Sequence, residues 1–294
     1  MPIESKYRDK KYRILLSGNA AKPPLEKPMP STYQYGGQIT ANGIRQHYIR
    51  YGGKGLPILL IPGITSPAAT WGSVADRLGR KYDTYVLDMR GRGLSQGGDE
   101  LDYSLDACAA DATSIADALG LADYIFVGHS MGARVGIRAA RRPDSRITQL
   151  ILVDPPVDGP GRRPYPIGLD WILGAVRSAA KGTSLEEMRT FLPTWKDEDL
   201  RLRAEWIPTC NVRAVEVAYA GFHTDDIHAD IPHLEVPTLL VVAGKGVILP
   251  EEAEEIRRLL PSIQIERVER AGHLIPWDDF EGFFAALTPF LGKV

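Results

Sequence analysis

Tyr124-Ile-Phe-Val-Gly-His-Ser-Met-Gly-Ala133 joins an apolar run to a helical one through a single serine. Tyr124 to Gly128 has the character of a buried strand that ends in glycine, and Arg134-Val-Gly-Ile-Arg-Ala-Ala140 has helical spacing. Gly128-His-Ser-Met-Gly132 is therefore a G-x-S-x-G placed between strand and helix, the context in which the motif presents a serine hydroxyl at a sharp turn. The two glycines are expected to let the chain turn tightly enough to hold Ser130 in a strained conformation. The same five residues could form an ordinary strand-to-helix turn, so the rest of the chain has to supply the partners.

The pattern on either side is that of alternating strands and helices. Gln38 to Tyr51 contains Asn42-Gly43 between two alternating runs and reads as a β-hairpin. Pro57-Ile-Leu-Leu-Ile-Pro62 is a continuous apolar run, as a strand buried on both faces requires, and Thr84-Tyr-Val-Leu-Asp88 reads as a further buried strand. Leu105 to Leu119 has helical periodicity with Gly120 as its stop. Gln149 to Asp154, Pro237 to Gly244 and Ile263 to Val268 complete the strands, and a terminal amphipathic helix carries Phe280, Phe283, Phe284 and Leu287. The class is α/β, a mostly parallel central sheet flanked by helices.

Between Pro156 and about Asp230 no strand run appears, and short helices can be drawn around Trp171, Met188, Leu202 and Val215. The expected organisation is a flexible N-terminal extension over 1–34, a core over 35–155 and 232–294, and an inserted helical cap over 156–231. The extension is basic and broken by prolines, and its Ile14-Leu15-Leu16 is too short for a secretory core.

Composition narrows the function. Hydrophobic residues make up 44% and charged residues 24% of the 294, ordinary values for a globular protein, and the net charge of −2 offers no excess for nucleic acid. No apolar run approaches the roughly 20 residues of a membrane helix. Cys108 and Cys210 are far apart and read as buried free thiols in a cytoplasmic protein. Neither a cofactor nor a metal is expected: His223, His228 and His233 are five apart, a poor ligand face, and Gly91-Arg-Gly93 alone is too little for a phosphate loop.

A serine nucleophile needs a base. Of the six histidines, His273 follows the last strand, at the sheet edge where ligands of such sheets collect. His129 sits inside the turn and His47 on the early hairpin, so His273 is the expected base. The base needs an acid to orient it. The turn after Gly244, a common position for one, reads Lys245-Gly-Val-Ile-Leu249 and holds no carboxylate. One strand earlier, Asp154 closes Leu150-Ile-Leu-Val153, which makes it the expected acid and preserves the order Ser, Asp, His. The amides of Met131 and Ile64 are expected to bind the oxyanion. Asp88, Arg90 and Arg92 are read as holding their glycine-rich turn together.

Gly63 with its loop, Asp88-Met-Arg-Gly-Arg-Gly-Leu-Ser95, Gly128-His-Ser-Met-Gly132 and Gly272-His273 together resemble the α/β-hydrolase superfamily, from about Gly36 to the C-terminus. Pro62 departs from the usual histidine before Gly63, and the acid at Asp154 departs from the usual loop. More narrowly, Ala41-Asn-Gly-Ile-Arg-Gln-His-Tyr48, Pro62-Gly-Ile-Thr-Ser-Pro67, Asp83-Thr-Tyr-Val-Leu-Asp88 and Gly128-His-Ser-Met-Gly-Ala-Arg134 resemble the N-formylmaleamate deformylases of aerobic nicotinate breakdown. That resemblance implies a triad of Ser130, Asp154 and His273 and hydrolysis of a formyl C–N bond through an acyl-enzyme. Another small-acid serine hydrolase (an enol-lactonase, a carboxylesterase or an acylaminomethylene-succinate hydrolase) or a non-catalytic receptor on the same fold are the alternatives. A small acidic substrate needs a cation, and one cap arginine among Arg162, Arg163, Arg177, Arg189 and Arg213 is expected to reach the pocket.

Overall fold

The computed structural model describes residues 29–292, so most of the expected N-terminal extension, residues 1–28, lies outside the described residues. Eight strands form one sheet: β1 (Tyr33–Ala41), β2 (Ile44–Tyr51), β3 (Pro57–Ile61), β4 (Asp83–Asp88), β5 (Tyr124–His129), β6 (Ile147–Val153), β7 (Thr238–Lys245) and β8 (Gln264–Gly272). Their order is β1-β2-β4-β3-β5-β6-β7-β8. The pairs β1–β2 and β2–β4 are antiparallel and every later pair is parallel. The hairpin turns on Asn42 and Gly43, both at positive φ (49° and 73°), which matches the twist of the strands it joins.

The apolar runs alternate between two cores, as a side-chain period of two requires. Leu59, Ile61, Phe126, Leu150, Leu152, Leu240 and Val242 face one cluster, which holds α2 (Leu105–Ala118), α3 (Met131–Ala140) and, later in the chain, α8 (Pro250–Leu259). Ile58, Leu60, Ile125, Val127, Ile151, Val153, Leu239 and Val241 face the other, covered by α1 (Gly72–Leu78), the short α9 (Ile275–Asp278) and the last helix, α10 (Phe280–Leu291). Each of these fully buried apolar side chains contributes about 1.5–3 kcal/mol by leaving water. A polar residue anywhere in the runs would forfeit this on one face or the other, which is why they read as continuous.

The expected start of the ordered core, residue 35, is two residues late. Tyr33 and Gln34 already belong to β1. Tyr33 packs edge-on against Tyr51 at 5.6 Å, and Thr32 N–H donates to Asp76 at 2.6 Å, so the hairpin edge and α1 hold the chain from that point.

After β3 the chain steps outward to β4, then returns across β3 to lay down β5 and continue the other way. The crevice at the carboxyl ends of β3 and β5 is therefore the point where connections diverge, the favoured ligand position in open α/β sheets. Between β6 and β7 the chain forms α4 (Leu169–Ala180), α5 (Leu185–Phe191), α6 (Asp197–Trp206) and α7 (Val212–Thr224). Ser184 caps α5 through a capping box with Glu187, and Val176, Met188, Leu192, Trp195, Leu200 and Ile207 make a small core of their own. Arg134, buried at the start of α3, ties this segment to the sheet. Its guanidinium donates to the carbonyls of Pro156, Asp158, Gly221 and Asp225 at 2.9–3.1 Å.

Candidate active site

Ser130 stands between β5 and α3 with φ 54° and ψ −118°, an L-residue in a region that costs about 1–3 kcal/mol. The flanking glycines permit this turn through close approach of the backbone. Neither has positive φ; each is needed because backbone passes where a Cβ would be. A Cβ on Gly128 would lie 2.3 Å from the Gly132 carbonyl oxygen, and one on Gly132 would lie 2.1 Å from that of Ile61. The strain rests on the serine and the close packing on its neighbours.

His273 follows β8 directly. Its Nε2 is 2.9 Å from Ser130 Oγ and its Nδ1 is 2.7 Å from Asp154 Oδ2. The carboxylate can only accept, so Nδ1 carries the proton and Nε2 is free to receive one from the serine. Asp154 is completely buried at the end of β6 and, like Ser130, sits at positive φ (44°). Its carboxylate also accepts from Val247 N–H at 3.1 Å and Ala243 N–H at 3.3 Å. The turn after β7 that lacks an acid thus supplies a backbone donor, Val247 N–H, to the acid from the neighbouring strand. Gly246 is the reason the two fit: a Cβ there would lie 2.4 Å from Asp154 Oδ2.

His129, the other histidine of the turn, is fully buried beneath Gly63, and that burial, followed by the nearness of His273, drives its pKa down to about 3. It is neutral, and its Nε2–H donates to the His273 carbonyl at 2.9 Å, which anchors the loop of the base. His47 is paired with Asp88 at 2.7 Å, away from this group. Asp88 also accepts from the amides of Ala68 and Leu94, and Arg90 forks onto Asp111 at 2.6 Å, so both hold their turn.

Ile64 and Met131, the expected oxyanion donors, are on the loop after β3 and at the first position of α3, where the amide has no partner within the helix. One buried side chain touches both residues. Arg92 donates from Nε to the Ile64 carbonyl at 3.1 Å and from Nη2 to the Met131 sulfur at 3.5 Å, and it reaches the Ala214 carbonyl of α7 at 2.9 Å.

Above Ser130 lies a cavity of about 260 Å³, enclosed by Gly63 to Ser66, the residues around His273, and the helices α4 to α6. Most of its wall is apolar, with Ile167, Trp171, Ile172, Met188, Phe191 and Trp195 among the lining residues. None of the five arginines singled out in the sequence reaches it. Arg162 forks onto Glu255, Arg163 onto Glu252, Arg189 binds the Trp195 carbonyl and Asp197, and Arg177 and Arg213 are exposed. Each satisfies its charge locally or in water. The arginine that does line the cavity is Arg203 of α6, 8% exposed. Its signal was present: Leu200, Arg203 and Ile207 share one helical stripe, and the flanking two are apolar. Tyr165, also unforeseen, brings its hydroxyl to 3.4 Å from His273 Nε2; burial pushes its pKa up, so it stays a protonated donor.

A strained serine, an imidazole and a buried carboxylate, hydrogen-bonded in series at the diverging strands of a parallel sheet, are the furniture of a serine hydrolase. The chain belongs to the α/β hydrolase family, which it matches over residues 58–287. It is 56% identical over 262 residues to the N-formylmaleamate deformylase of Pseudomonas putida, covering 89% of this chain and 98% of that protein. The crystal structure of an N-formylmaleamic acid deformylase from Pseudomonas putida S16, a serine-to-alanine variant, superposes with a TM-score of 0.83 at 53% identity, covering 86% of this chain and all of that one. An E-2-(acetamidomethylene)succinate hydrolase (TM-score 0.73, 21% identity, 89% of this chain and all of that one) shares the fold alone.

Proposed function

We propose that the protein hydrolyses the formyl C–N bond of N-formylmaleamate, giving maleamate and formate, with Ser130, His273 and Asp154 as its triad. The observation that carries the chemistry is the continuous chain of hydrogen bonds, 2.9 Å from serine to imidazole and 2.7 Å from imidazole to carboxylate. The similarity to the two deformylases supports the substrate.

Ser130 Oγ attacks the formyl carbonyl while its proton passes to His273 Nε2. The imidazolium that forms is stabilised by Asp154, whose carboxylate is held in position by two backbone amides. The carbonyl oxygen gains negative charge and is bound by the amides of Ile64 and Met131, held in place through Arg92. His273 then gives its proton to the amide nitrogen, the C–N bond breaks, and maleamate departs. That nitrogen bears a second acyl group, which makes it a better leaving group than an amine. A water molecule, deprotonated by the same nitrogen of His273, attacks the formyl ester, and formate leaves as Ser130 recovers its proton.

The helices α4 to α6 act as the cap that keeps the acyl-enzyme from bulk water, and the small cavity suits a short substrate. The test is a comparison of kcat/KM on N-formylmaleamate, an enol-lactone and a p-nitrophenyl ester. The formyl amide is expected to exceed the others by at least about tenfold, and a preference for lactone or ester by that margin would reassign the reaction.

A further inference from the structure

Of the buried arginines, Arg90 has Asp111 as its partner and Arg134 has Asp158 and Asp225 nearby. Arg92, like Arg203, has no carboxylate, but its Nε, Nη1 and Nη2 all have protein acceptors: the carbonyls of Ile64, Arg90 and Ala214 and the Met131 sulfur. Arg203 reaches only neutral groups: Nη1 donates to the Thr65 carbonyl at 2.8 Å and Ser66 Oγ at 3.1 Å, and Nη2 donates to Thr65 Oγ1 at 2.8 Å. No carboxylate acts on it, and burial draws its pKa down to about 10, still charged at neutral pH. A buried cation without a counter-ion is unfavourable, the more so where, unlike in Arg92, some of its N–H groups also lack an acceptor.

The unused donors have a definite geometry. A guanidinium has five N–H groups. Three contacts are made from Nη1 and Nη2, which leaves Nε–H and one Nη2–H without a protein partner. That is the edge through which Arg50, Arg90 and Arg163 each fork onto a carboxylate in this same molecule. Arg203 shares the cavity wall with Ser130 and His273, and it is the only lysine or arginine there among the described residues. The wall has one carboxylate, Asp278, already accepting from Gly272 N–H and Thr194 at 2.9 Å.

We propose that Arg203, braced by Thr65 and Ser66, is the carboxylate-binding subsite of this cavity and restricts it to short substrates with one carboxylate. The remaining wall is apolar and suits the carbon skeleton, and a second anionic group would meet no cation and one acid. Because Arg203 grips the loop that leads from Ile64, the bound carboxylate and the oxyanion loop are registered on one side chain. The proposal rests on reading this cavity as the substrate site, and it does not depend on which bond is cleaved.

The test uses the Ser130→Ala protein, in which ligands bind without turnover, titrated calorimetrically with maleamate, with its neutral diamide and with maleate. Maleamate is expected to bind at least about 30-fold more tightly than the diamide, the worth of a charge-assisted fork, and maleate no more tightly than maleamate. Adding Arg203→Met should reduce the preference for maleamate over the diamide to within about threefold, with the melting temperature reporting that the fold is kept. If that protein does not fold, Arg203→Lys decides: it keeps the charge without the fork, and a loss of at least about tenfold in the preference is expected. An unchanged preference in either variant, no preference in Ser130→Ala itself, or maleate binding more tightly than maleamate would overturn the assignment. Failure of the deformylase reading appears elsewhere, as absence of formate release by the unaltered enzyme.

Discussion

Gly246→Ala is a one-carbon change, on a residue that makes no side-chain contact, and it should disable the enzyme. The added Cβ would lie 2.4 Å and 2.6 Å from the two Asp154 oxygens and 2.8 Å from the Ala243 Cβ. Ordinary contact begins near 3.4 Å, so the carboxylate must retreat by about 1 Å. It cannot do so freely. Its oxygens are held by Val247 N–H, Ala243 N–H and His273, on a short side chain whose backbone is already at positive φ. Retreat lengthens or breaks the 2.7 Å bond to His273, which releases the imidazole to its other tautomer. A misplacement of 1 Å costs about 100-fold, and complete loss of an orienting aspartate about 10,000-fold, so kcat should fall between these limits. Overpacking should also cost about 1–3 kcal/mol of stability. The assay is formate release at saturating N-formylmaleamate, with circular dichroism to show the fold. Gly168→Ala is the control, because nothing lies within 4 Å of the Cβ it would add, and its activity should match the parent. A Gly246→Ala enzyme within about threefold of the parent would refute the clamped-acid account.

Asp154→Asn should lower kcat by roughly three to four orders of magnitude, since a neutral amide cannot stabilise the imidazolium and its NH2 group must face either Ala243 N–H or His273 Nδ1, where only an acceptor fits; a loss under tenfold in kinetic assays would rule the acid out. Arg134→Met removes four bonds to buried carbonyls at both ends of the inserted helices and should cost about 3 kcal/mol in urea unfolding; a cost under about 1 kcal/mol would show that the segment is held otherwise. His129 predicts an acid dependence. Its folded pKa, about 3, lies below the ordinary unfolded value, so its contribution is complete above pH 6.5 and declines as the pH falls from there towards 3. Between pH 6.5 and 5 the parent should lose about 2 kcal/mol more than His129→Gln, and parallel curves would count against a neutral buried His129.

The sheet was legible because its strands are buried on both faces, so Pro57–Ile61 and Leu150–Val153 could hardly be anything else once the length and flanking turns were set against them. Ser130 and His273 were legible because their positions follow from where strands end. Asp154 was read partly from an absence, and the structure supplies the physical reason for that absence: the vacant turn donates to the acid through Val247 N–H. That Gly246 must be glycine was not legible, since the space it leaves is filled by a residue 92 positions earlier. Arg203 was missed for a related reason. Arginines on helices are usually solvated, and Asp197-Glu-Asp-Leu-Arg-Leu-Arg203 looks like a charged surface helix until Leu200 and Ile207 are seen to be buried beside it. The five arginines favoured instead had acids, carbonyls or water within reach, contacts that depend on packing between distant segments.

The most direct test of the account is formate release from N-formylmaleamate by the parent, Ser130→Ala, His273→Ala and the double variant, measured together. Residues that act as one unit lose their effect together, so each single change should cost roughly six orders of magnitude and the double change no more than either. A Ser130→Ala enzyme that keeps more than about 1% of turnover, or losses that multiply in the double variant, would mean that the serine and the histidine do not work as a nucleophile and its base.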